Sequence, residues 1–511
     1  MGQRTRQTKS DGHRGRGNGP VAMTVCGLTM LALAVGVAAW RVRDNNAPSA
    51  RLVQGGANTP WFRDVWGKSG IDFVLITGSA MVPPYVAPGS EIVGTQSKVQ
   101  DPTLYFPEIM IGGVCLLDYD RDGNLDAYFV QGGRIVDPPE RNVGNRLFRN
   151  LGGGRFVDVT EEAGVGDPGF AMGCTTGDFN NDGFTDIYVT NAGPNVLFRN
   201  NGDGSFTDVT RRAAVGDAGF SSSAAFVDYD ADGDYDLYVV NYVVWSLDKE
   251  IACGTATDGL GYCDPNSYDA PAPDTLYRNN GDGTFTDVSA EAGIRTAFGN
   301  GLGIVPADFN GDRRIDFCIA NDQTANQLWI NQGDGTFLDQ AIELGVAYNE
   351  HGQAEAGMGI DAQDVNGDGQ FEILMTHFGE ETNTLYSFER GFFEDRSAAS
   401  GLAVSRPFTG FGTALTDFDN DGLLDLYVAN GRVALHDPSF DPNDPYAEPN
   451  LLLSSSKTYR YDEVLPRGGT KEKLIGTSRA TALVDYDNDG ALDIIVVNKD
   501  AKAYVLHNRR G

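Results

Sequence analysis

Seven short acidic stretches hold the side chains best suited to chemistry in this sequence of 511 residues. Each follows the pattern D-x-[DN]-x-D-G-x-x-[DE], with side-chain oxygens at positions 1, 3, 5 and 9, and one copy lacks the glycine. Ca²⁺ takes roughly six to eight oxygen ligands at flexible distances, and glycine at position 6 permits the positive φ that folds the chain over an ion. Softer metals favour His or Cys, and neither stands in these stretches. The pattern therefore predicts about seven calcium sites.

We number these stretches loops 1 to 7 in chain order. The predicted ligands are Asp118, Asp120, Asp122, Asn124 and Asp126; Asp178, Asn180, Asp182 and Asp186; Asp228, Asp230, Asp232 and Asp236; Asp308, Asn310, Asp312 and Asp316; Asp364, Asn366, Asp368 and Glu372; Asp417, Asp419, Asp421 and Asp425; and Asp485, Asp487, Asp489 and Asp493. Position 7, where Asn124 stands in loop 1, contributes a backbone carbonyl. Loop 4 has Arg313 and Arg314 at positions 6 and 7. A non-glycine residue at positive φ is strained, and the positive charges of the two arginines repel a bound Ca²⁺. We therefore expect the Asp308 site to be the weakest.

The charge balance fits this interpretation. Of 71 acidic residues, 25 lie at positions 1, 3, 5 and 9 of the loops, and carboxylates so close repel unless a cation lies between them. Solvated acidic turns without metal are the alternative, and the regular recurrence argues against it. With only 39 Lys and Arg, the net charge is −32, so the sequence predicts no nucleic-acid partner.

An EF-hand loop begins in the same way, but it closes with Glu at position 12 and lies between helices. Position 12 here is always apolar: Phe129, Val189, Val239, Ile319, Met375, Val428 and Val496. The flanking runs, such as GGVCLLDY and DAYFVQ, are short and rich in β-branched and aromatic residues. The loops are therefore predicted to join two strands.

A second element follows most loops, as in NVLFRNNGDGSFTDVTRRAAV from Asn195. It is typical of a strand, a Gly-rich hairpin turn and another strand, and its GDG fits a turn better than a second metal site. Four strands per repeat, with loops 50 to 80 residues apart, indicate propeller blades. The seventh copy lacks its fourth strand, and the segment Trp61–Ile71 matches it. We predict an all-β fold: a seven-bladed β-propeller over residues 61–511, closed by an N-terminal strand.

The N-terminus predicts export. A basic tail at 1–19 precedes an uncharged apolar segment at 20–40, and a linker at 41–60 follows. Twenty apolar residues can span a bilayer, and the flanking basic residues place the propeller outside the membrane. Cleavage near Ala39 would give a secreted protein instead, so the sequence predicts either a transmembrane anchor or a signal helix.

Cysteine usage suits that compartment. Cys253 and Cys263 lie ten residues apart in a Gly-rich insertion, where we expect a disulfide. Cys115, Cys174 and Cys318 lie in apolar strand-like runs typical of small core residues. Whether Cys115 and Cys174 pair is left open.

The loops resemble the FG-GAP/VCBS repeats of integrin α-subunit propellers. The stretches FPEIMIGGVCLLDYDRDG, EAGMGIDAQDVNGDG, THFGEETNTLY and PFTGFGTALTDFDNDG resemble more closely the cartilage acidic protein family. The resemblance covers residues 60–511 and implies extracellular calcium binding with surface interaction. Members usually continue into an ASPIC/UnbV domain, whereas this sequence ends at Gly511, so we expect no role of that domain to transfer. Bacterial members in natural-product gene sets imply a possible enzymatic role.

Only one cluster is a catalytic candidate. His377 follows loop 5, and Glu355 precedes it, so the pair could act in acid–base chemistry at the propeller mouth. A polar turn with a hydrogen-bonded histidine is the simpler interpretation, and the sequence holds no nucleophile motif or dinucleotide fingerprint in a suitable context. Two hypotheses follow. The first is a calcium-stabilised propeller that binds an extracellular protein or glycan; the second is an exported enzyme.

Overall fold

The computed structural model describes residues 59–78, 104–137, 142–255, 259–435 and 439–511. Within these ranges the strands are, in chain order, β1 (Phe62–Asp64), β2 (Val114–Leu117), β3 (Asp126–Phe129), β4 (Arg146–Asn150), β5 (Phe156–Asp158), β6 (Ala171–Gly177), β7 (Asp186–Asn191), β8 (Gly193–Asn200), β9 (Phe206–Asp208), β10 (Ser221–Val227), β11 (Asp236–Asn241), β12 (Cys253–Thr255), β13 (Gly259–Gly261), β14 (Thr275–Asn279), β15 (Phe285–Asp287), β16 (Gly301–Ala307), β17 (Asp316–Asn321), β18 (Gln327–Asn331), β19 (Phe337–Asp339), β20 (Ile360–Gln363), β21 (Glu372–Met375), β22 (Thr384–Glu389), β23 (Phe392–Asp395), β24 (Gly410–Thr416), β25 (Asp425–Asn430), β26 (Glu448–Pro449), β27 (Leu451–Ser455), β28 (Tyr461–Glu463), β29 (Ile475–Gly476), β30 (Ser478–Val484), β31 (Asp493–Asn498) and β32 (Tyr504–Asn508).

The helices of the described ranges are short. The α-helices are α1 (Trp66–Ser69), α2 (Pro107–Met110), α3 (Thr160–Ala163), α4 (Thr210–Ala213) and α5 (Ala341–Leu344), and 3-10 turns occupy Leu247–Lys249, Pro265–Ser267, Ile294–Thr296, Leu402–Ser405 and Arg467–Gly469. None of them is long and apolar enough to cross a bilayer. The predicted anchor or signal segment at 20–40 lies outside the described residues.

Seven four-stranded antiparallel sheets form the blades, which confirms the predicted seven-bladed propeller. Blades 1 to 7 are β2–β5, β6–β9, β10-β11-β14-β15, β16–β19, β20–β23, β24-β25-β27-β28 and β30-β31-β32-β1. In every blade the acidic loop joins the first, innermost strand to the second. Five of the inner strands, β6, β10, β16, β24 and β30, are rich in Gly, Ala and Ser, which suits the close approach of strands near the axis. Just before β20, a Cβ on Gly359 would lie 2.0 Å from the carbonyl oxygen of Phe411.

Six of the seven outer strands end in an aspartate that turns the chain toward the next blade, and β28 ends in Glu463. Asp158 accepts a hydrogen bond from the N–H of Thr160 at 2.9 Å, and Asp208 does the same for Thr210. One helical turn follows and ends at a left-handed residue, Gly164 in the first case. The repeated DVT sequence therefore encodes a side-chain-stabilised turn and a helical turn with a left-handed C-cap between blades.

The ring closes as the sequence predicts. Strand β1 pairs antiparallel with β32, Phe62 lying opposite Asn508 and Asp64 opposite Leu506. The N–H of Trp61 donates to the carbonyl of Gly469 at 2.8 Å, which fixes β1 against the segment entering blade 7. Blade 7 thus takes three strands from the C-terminal end of the chain and one from the N-terminal side.

Two disulfides fix the ring and its insertion. The predicted Cys253–Cys263 bond closes the insertion between β11 and β14. Cys115 and Cys174 also pair, joining the innermost strands of blades 1 and 2. The sequence left this pairing open, because only the lateral contact of neighbouring inner strands brings the two residues together; both lie in the core, and Cys318 is buried and free.

Closure through β1 makes a testable contribution to stability. Phe62 is 1% exposed and its ring packs edge-on against Phe418 at 5.3 Å. Replacing Phe62 with Ala should lower the free energy of unfolding by about 3–5 kcal/mol, the usual cost of truncating a buried aromatic residue. Thermal unfolding of the calcium-loaded protein would measure it. Arg63→Ala, on the exposed face of β1, is the matched control, and equal losses for both variants would show that β1 does not hold the ring closed.

Candidate metal centres

The first carboxylate of each loop folds the loop around itself. In loop 1 both oxygens of Asp118 accept backbone N–H groups, from Asp122 and Gly123, each at 3.0 Å. All seven loops repeat this pair. Position 6 has a positive φ throughout, between 87° and 96° for the glycines and 69° for Arg313. Loop 4 therefore holds a non-glycine residue at positive φ at this position, as the sequence predicts, and the weakness of its site stays a prediction.

The ninth position joins each loop to the sheet. Asp186 is fully buried; one of its oxygens accepts the N–H of Phe179 at 3.1 Å, and the other accepts the N–H of Asn200, at the end of β8, at 2.7 Å. Asp126, Asp236, Asp316, Asp425 and Asp493 make the same two bonds in their blades. In blade 5, Glu372 accepts instead from Val365 N–H and from the Ser387 hydroxyl.

Carboxylates converge at several loops. Within the described ranges, sets of three ligand atoms lie within 4.8 Å of one another in loops 1, 3, 6 and 7. Their members are Asp118, Asp120 and Asp122; Asp228, Asp230 and Asp236; Asp417, Asp419 and Asp425; Asp485, Asp487 and Asp493; and Asp487, Asp489 and His507. Loops 2, 4 and 5 carry Asn at position 3, so an amide oxygen replaces one carboxylate there.

The third position shows that these groups fit a cation. One oxygen each of Asp120, Asp419 and Asp487 is buried without any hydrogen-bond donor among the described residues. Buried polar atoms are nearly always satisfied, and a cation among the carboxylates would both satisfy the orphaned oxygen and offset the repulsion between like charges. Oxygen donors alone suit a hard cation such as Ca²⁺, so the residues fit that ion.

Burial opposes ionisation of the ninth-position carboxylates. It raises the pKa of Asp186, Asp236, Asp425 and Asp493 to about 8, against the lowering effect of the backbone hydrogen bonds. Neighbouring loop carboxylates raise these pKa values further. A bound cation would reverse this balance by stabilising the ionised form.

Basic side chains enter two of the loops. The guanidinium of Arg149, on β4, lies 2.7 Å from Asp120 and 3.3 Å from Asp122, and Arg314 pairs with Asp312. Sequence reasoning identified the arginines of loop 4 but missed Arg149, because its approach to loop 1 depends on the pairing of β4 with β3. It also missed His507, whose Nδ1 lies 3.3 Å from Asp493.

All seven loops lie at one end of the ring, since neighbouring loops touch. Asn488 of loop 7 donates to Asn124 of loop 1 at 2.9 Å, and Asn181 of loop 2 donates to Asp234 of loop 3 at 2.7 Å. The guanidinium of Arg121, in loop 1, lies 5.2 Å from the centre of the Phe184 ring in loop 2. We call this end the loop face.

The two catalytic candidates do meet, but inside the protein. His377 Nε2 lies 3.7 Å from Glu355 Oε2, and the imidazole is 1% exposed. Burial lowers the pKa of His377 to about 4, which keeps the ring neutral at physiological pH. Glu355 accepts hydrogen bonds from Asn349 and Thr384. This arrangement gives the imidazole almost no contact with solvent or substrate.

Comparison with known proteins places the repeats in one family. The family described as FG-GAP-like repeat matches residues 118–189, 178–239, 262–319, 308–375 and 364–428, more than half of the chain. Cartilage acidic protein 1 of Xenopus tropicalis is 27% identical over 180 residues, 34% of this chain and 26% of that protein. The human protein of that name is 28% identical over the same shares. The matched region thus spans about a quarter of the length of these relatives.

One solved structure aligns widely but loosely. It is an Agrocybe aegerita lectin described as recognising non-reducing terminal N-acetylglucosamine, with 16% identity, a TM-score of 0.37, and coverage of 77% of this chain and 86% of its own. A similarity this low carries no argument about function.

The ninth-position carboxylates make stability depend on pH. In the calcium-free folded protein they keep their protons up to about pH 8, whereas an unfolded chain releases them near the ordinary value of 3.8. The folded state therefore binds more protons across this window, and the melting temperature in chelator should fall as pH rises from 5 to 8. In saturating calcium the fall should be much smaller. A calcium-free melting temperature that rises over this range would contradict the assignment.

Loop 4 offers a test of the weakest site. Arg314→Gln removes the cation paired with Asp312, and we expect calcium affinity there to rise several-fold, corresponding to about 1 kcal/mol. Calcium titration calorimetry would resolve this weakest binding step. Arg313→Gln is the matched control, because it removes the same charge without breaking that ion pair. Equal gains in both variants would assign the effect to net charge alone.

Proposed function

The chain belongs to the FG-GAP-like repeat family, and on that premise we propose that it is an exported, calcium-binding propeller that presents its surface to an extracellular protein or glycan. One observation carries the calcium assignment: the buried, donor-free carboxylate oxygens of Asp120, Asp419 and Asp487, each beside two further carboxylates. Calcium here is a structural ion. It offsets part of the negative charge of the loop face and holds the first two strands of each blade together.

Export is supported by the chain's covalent chemistry. Disulfides persist in oxidising compartments, and this propeller holds two of them, one between blades and one in an insertion. The basic tail and the apolar segment at 20–40 point the same way. We propose a surface-anchored propeller, or a secreted one if the chain is cleaved near Ala39.

An interaction role follows from what the propeller exposes. Seven bound Ca²⁺ would change the formal charge from −32 to −18, so the surface stays acidic and favours partners with complementary charge. Cell adhesion is the functional class that suits a displayed, calcium-pinned propeller. An exported enzyme acting through His377 and Glu355 is the weaker candidate, because the imidazole is buried.

Counting calcium while measuring stability tests the proposal. The purified protein should bind six or seven ions, and its melting temperature should rise strongly from chelator to calcium, since each site at a hundred times its Kd adds about 2.7 kcal/mol. Asp419→Asn should lose one ion. Asp203→Asn, in the exposed Gly-rich hairpin of blade 2, should lose none. One or two bound ions, or no thermal shift, would show that most of the loops are solvated acidic turns without calcium.

The proposed binding of an extracellular partner requires a separate measurement. Binding of the calcium-loaded protein to arrays of glycans and extracellular protein domains should give specific ligands that are lost in chelator. Turnover by His377→Ala equal to the wild type, in any activity found, would exclude that residue from catalysis.

A further inference from the structure

A pocket of about 490 Å³ lies at the end of the ring opposite the loop face. Its walls come from the segment before blade 1 and from blades 3, 4, 5 and 6, so it lies at the axis. Tyr242 and Asp322 follow directly after β11 and β17, whereas loops 3 and 4 precede these strands. The pocket is therefore separated from the metal centres by the length of the blades. We call it the axial pocket.

Its polar lining is acidic. Asp264, Asp322 and Glu381 contribute carboxylates, and among the described lining residues there is no Lys, Arg or His. Among the largest influences on Asp322 are the negative charges of Asp264 and Glu381, and on Glu381 that of Glu355. Burial and these like charges raise the pKa of both Asp322 and Glu381 to about 7. The pocket thus concentrates negative charge, and no cation among its described lining residues balances it.

Neutral donors hold these carboxylates in place. The Tyr242 hydroxyl donates to Asp322 at 2.5 Å, and the Ala356 N–H donates to Glu381 at 3.0 Å. The Gln323 side chain donates to Asp264 at 2.7 Å. Such bonds fix the position of each group without neutralising its charge.

Aromatic side chains supply part of the wall. Phe106 stacks on Tyr242, with ring centres 5.3 Å apart, so these two buried rings cover each other, and the half-buried rings of Tyr262 and Phe378 line the pocket beside them. Tyr262 already has one cation near its ring: the ammonium of Lys499, at 5.8 Å, which also pairs with Asp500. Aromatic faces attract ammonium groups through their quadrupole, most strongly where water is excluded.

A disulfide and several hydrogen bonds fix the wall of the axial pocket. Asp264 follows Cys263, so the Cys253–Cys263 disulfide ties it to the base of the insertion. The same insertion contacts the segment before blade 1. Its Glu250 accepts hydrogen bonds from Trp245 and Tyr268 of the insertion and from the N–H of Phe106 in that segment. The cavity is therefore pre-formed, as small-molecule sites usually are.

From this combination we propose that the axial pocket binds a small organic cation, a molecule bearing an amine or quaternary ammonium group, between the carboxylates of Asp322 and Glu381 and the aromatic wall. The volume lies in the range of small-molecule sites and exceeds what a single metal ion needs. Anions are repelled by the three carboxylates. The proposal is independent of calcium at the loop face, which lies at the other end of the blades.

Titration calorimetry of the full-length protein in saturating calcium, at pH 8, tests this site. Choline and cadaverine are the probes, each compared with a neutral isostere, 3,3-dimethylbutan-1-ol and 1,5-pentanediol. At least one cation should bind at least tenfold more tightly than its isostere. Saturating calcium keeps the probes out of the acidic loops.

Variants assign the binding to the axial pocket. Asp322→Asn and Glu381→Gln keep the hydrogen-bond acceptors but remove one charge each, and each should weaken cation binding about tenfold. Glu343→Gln, exposed on α5, removes a charge elsewhere and should leave binding unchanged. A wild-type melting temperature in calcium confirms that each variant is folded, and if Asp322→Asn fails to fold, Glu381→Gln decides. Binding of neither cation, equal binding of the neutral isosteres, which would indicate a polyol site, or unchanged binding in Glu381→Gln would overturn the proposal.

Discussion

The propeller depends on a carboxylate buried at the start of the second strand of each blade. That group accepts one backbone N–H from its own loop and, in six blades, another from the end of the third strand, so it fixes three segments at once. Burying a charge in this place is costly unless a cation compensates. The acidic loop supplies the remaining oxygens around such a cation. The same buried carboxylate therefore holds the strands of the blade together and contributes a ligand to the candidate metal site.

An asparagine at the end of the third strand links this buried carboxylate to the neighbouring blade. Asn200, whose N–H bonds to Asp186, donates from its side chain to the carbonyl of Tyr119 in blade 1 at 2.8 Å. Asn150, Asn279, Asn331 and Asn508 repeat the contact at other interfaces. Blade 6 has Ser455 at this position, and Tyr459 bonds instead to Asn366 of blade 5. A cation bound at one loop would thus act on the orientation of two blades.

Periodic features were predictable from the sequence, and contacts across the ring were not. The loops, the four-strand repeat and the closing strand repeat a local pattern, so their spacing revealed them. The pairing of Cys115 with Cys174 depends on the lateral contact of two inner strands, and the approach of Arg149 to Asp120 depends on strand register. The axial pocket gathers Phe106, Asp322 and Glu381 from segments far apart in sequence. Only closure of the ring brings such residues together, and no local motif marks them.

The closing strand also determines how the molecule would respond to tension. A pull on the chain ahead of Trp61 would act first on β1, which is held to β32 by a register of three residues. Peeling β1 away would expose the edge of β32, whose last residue, Asn508, bonds to Asp493 of loop 7. Mechanical load would therefore reach the seventh metal centre before any other. A cation bound in that loop would therefore make the resistance of the ring to opening under force depend on metal.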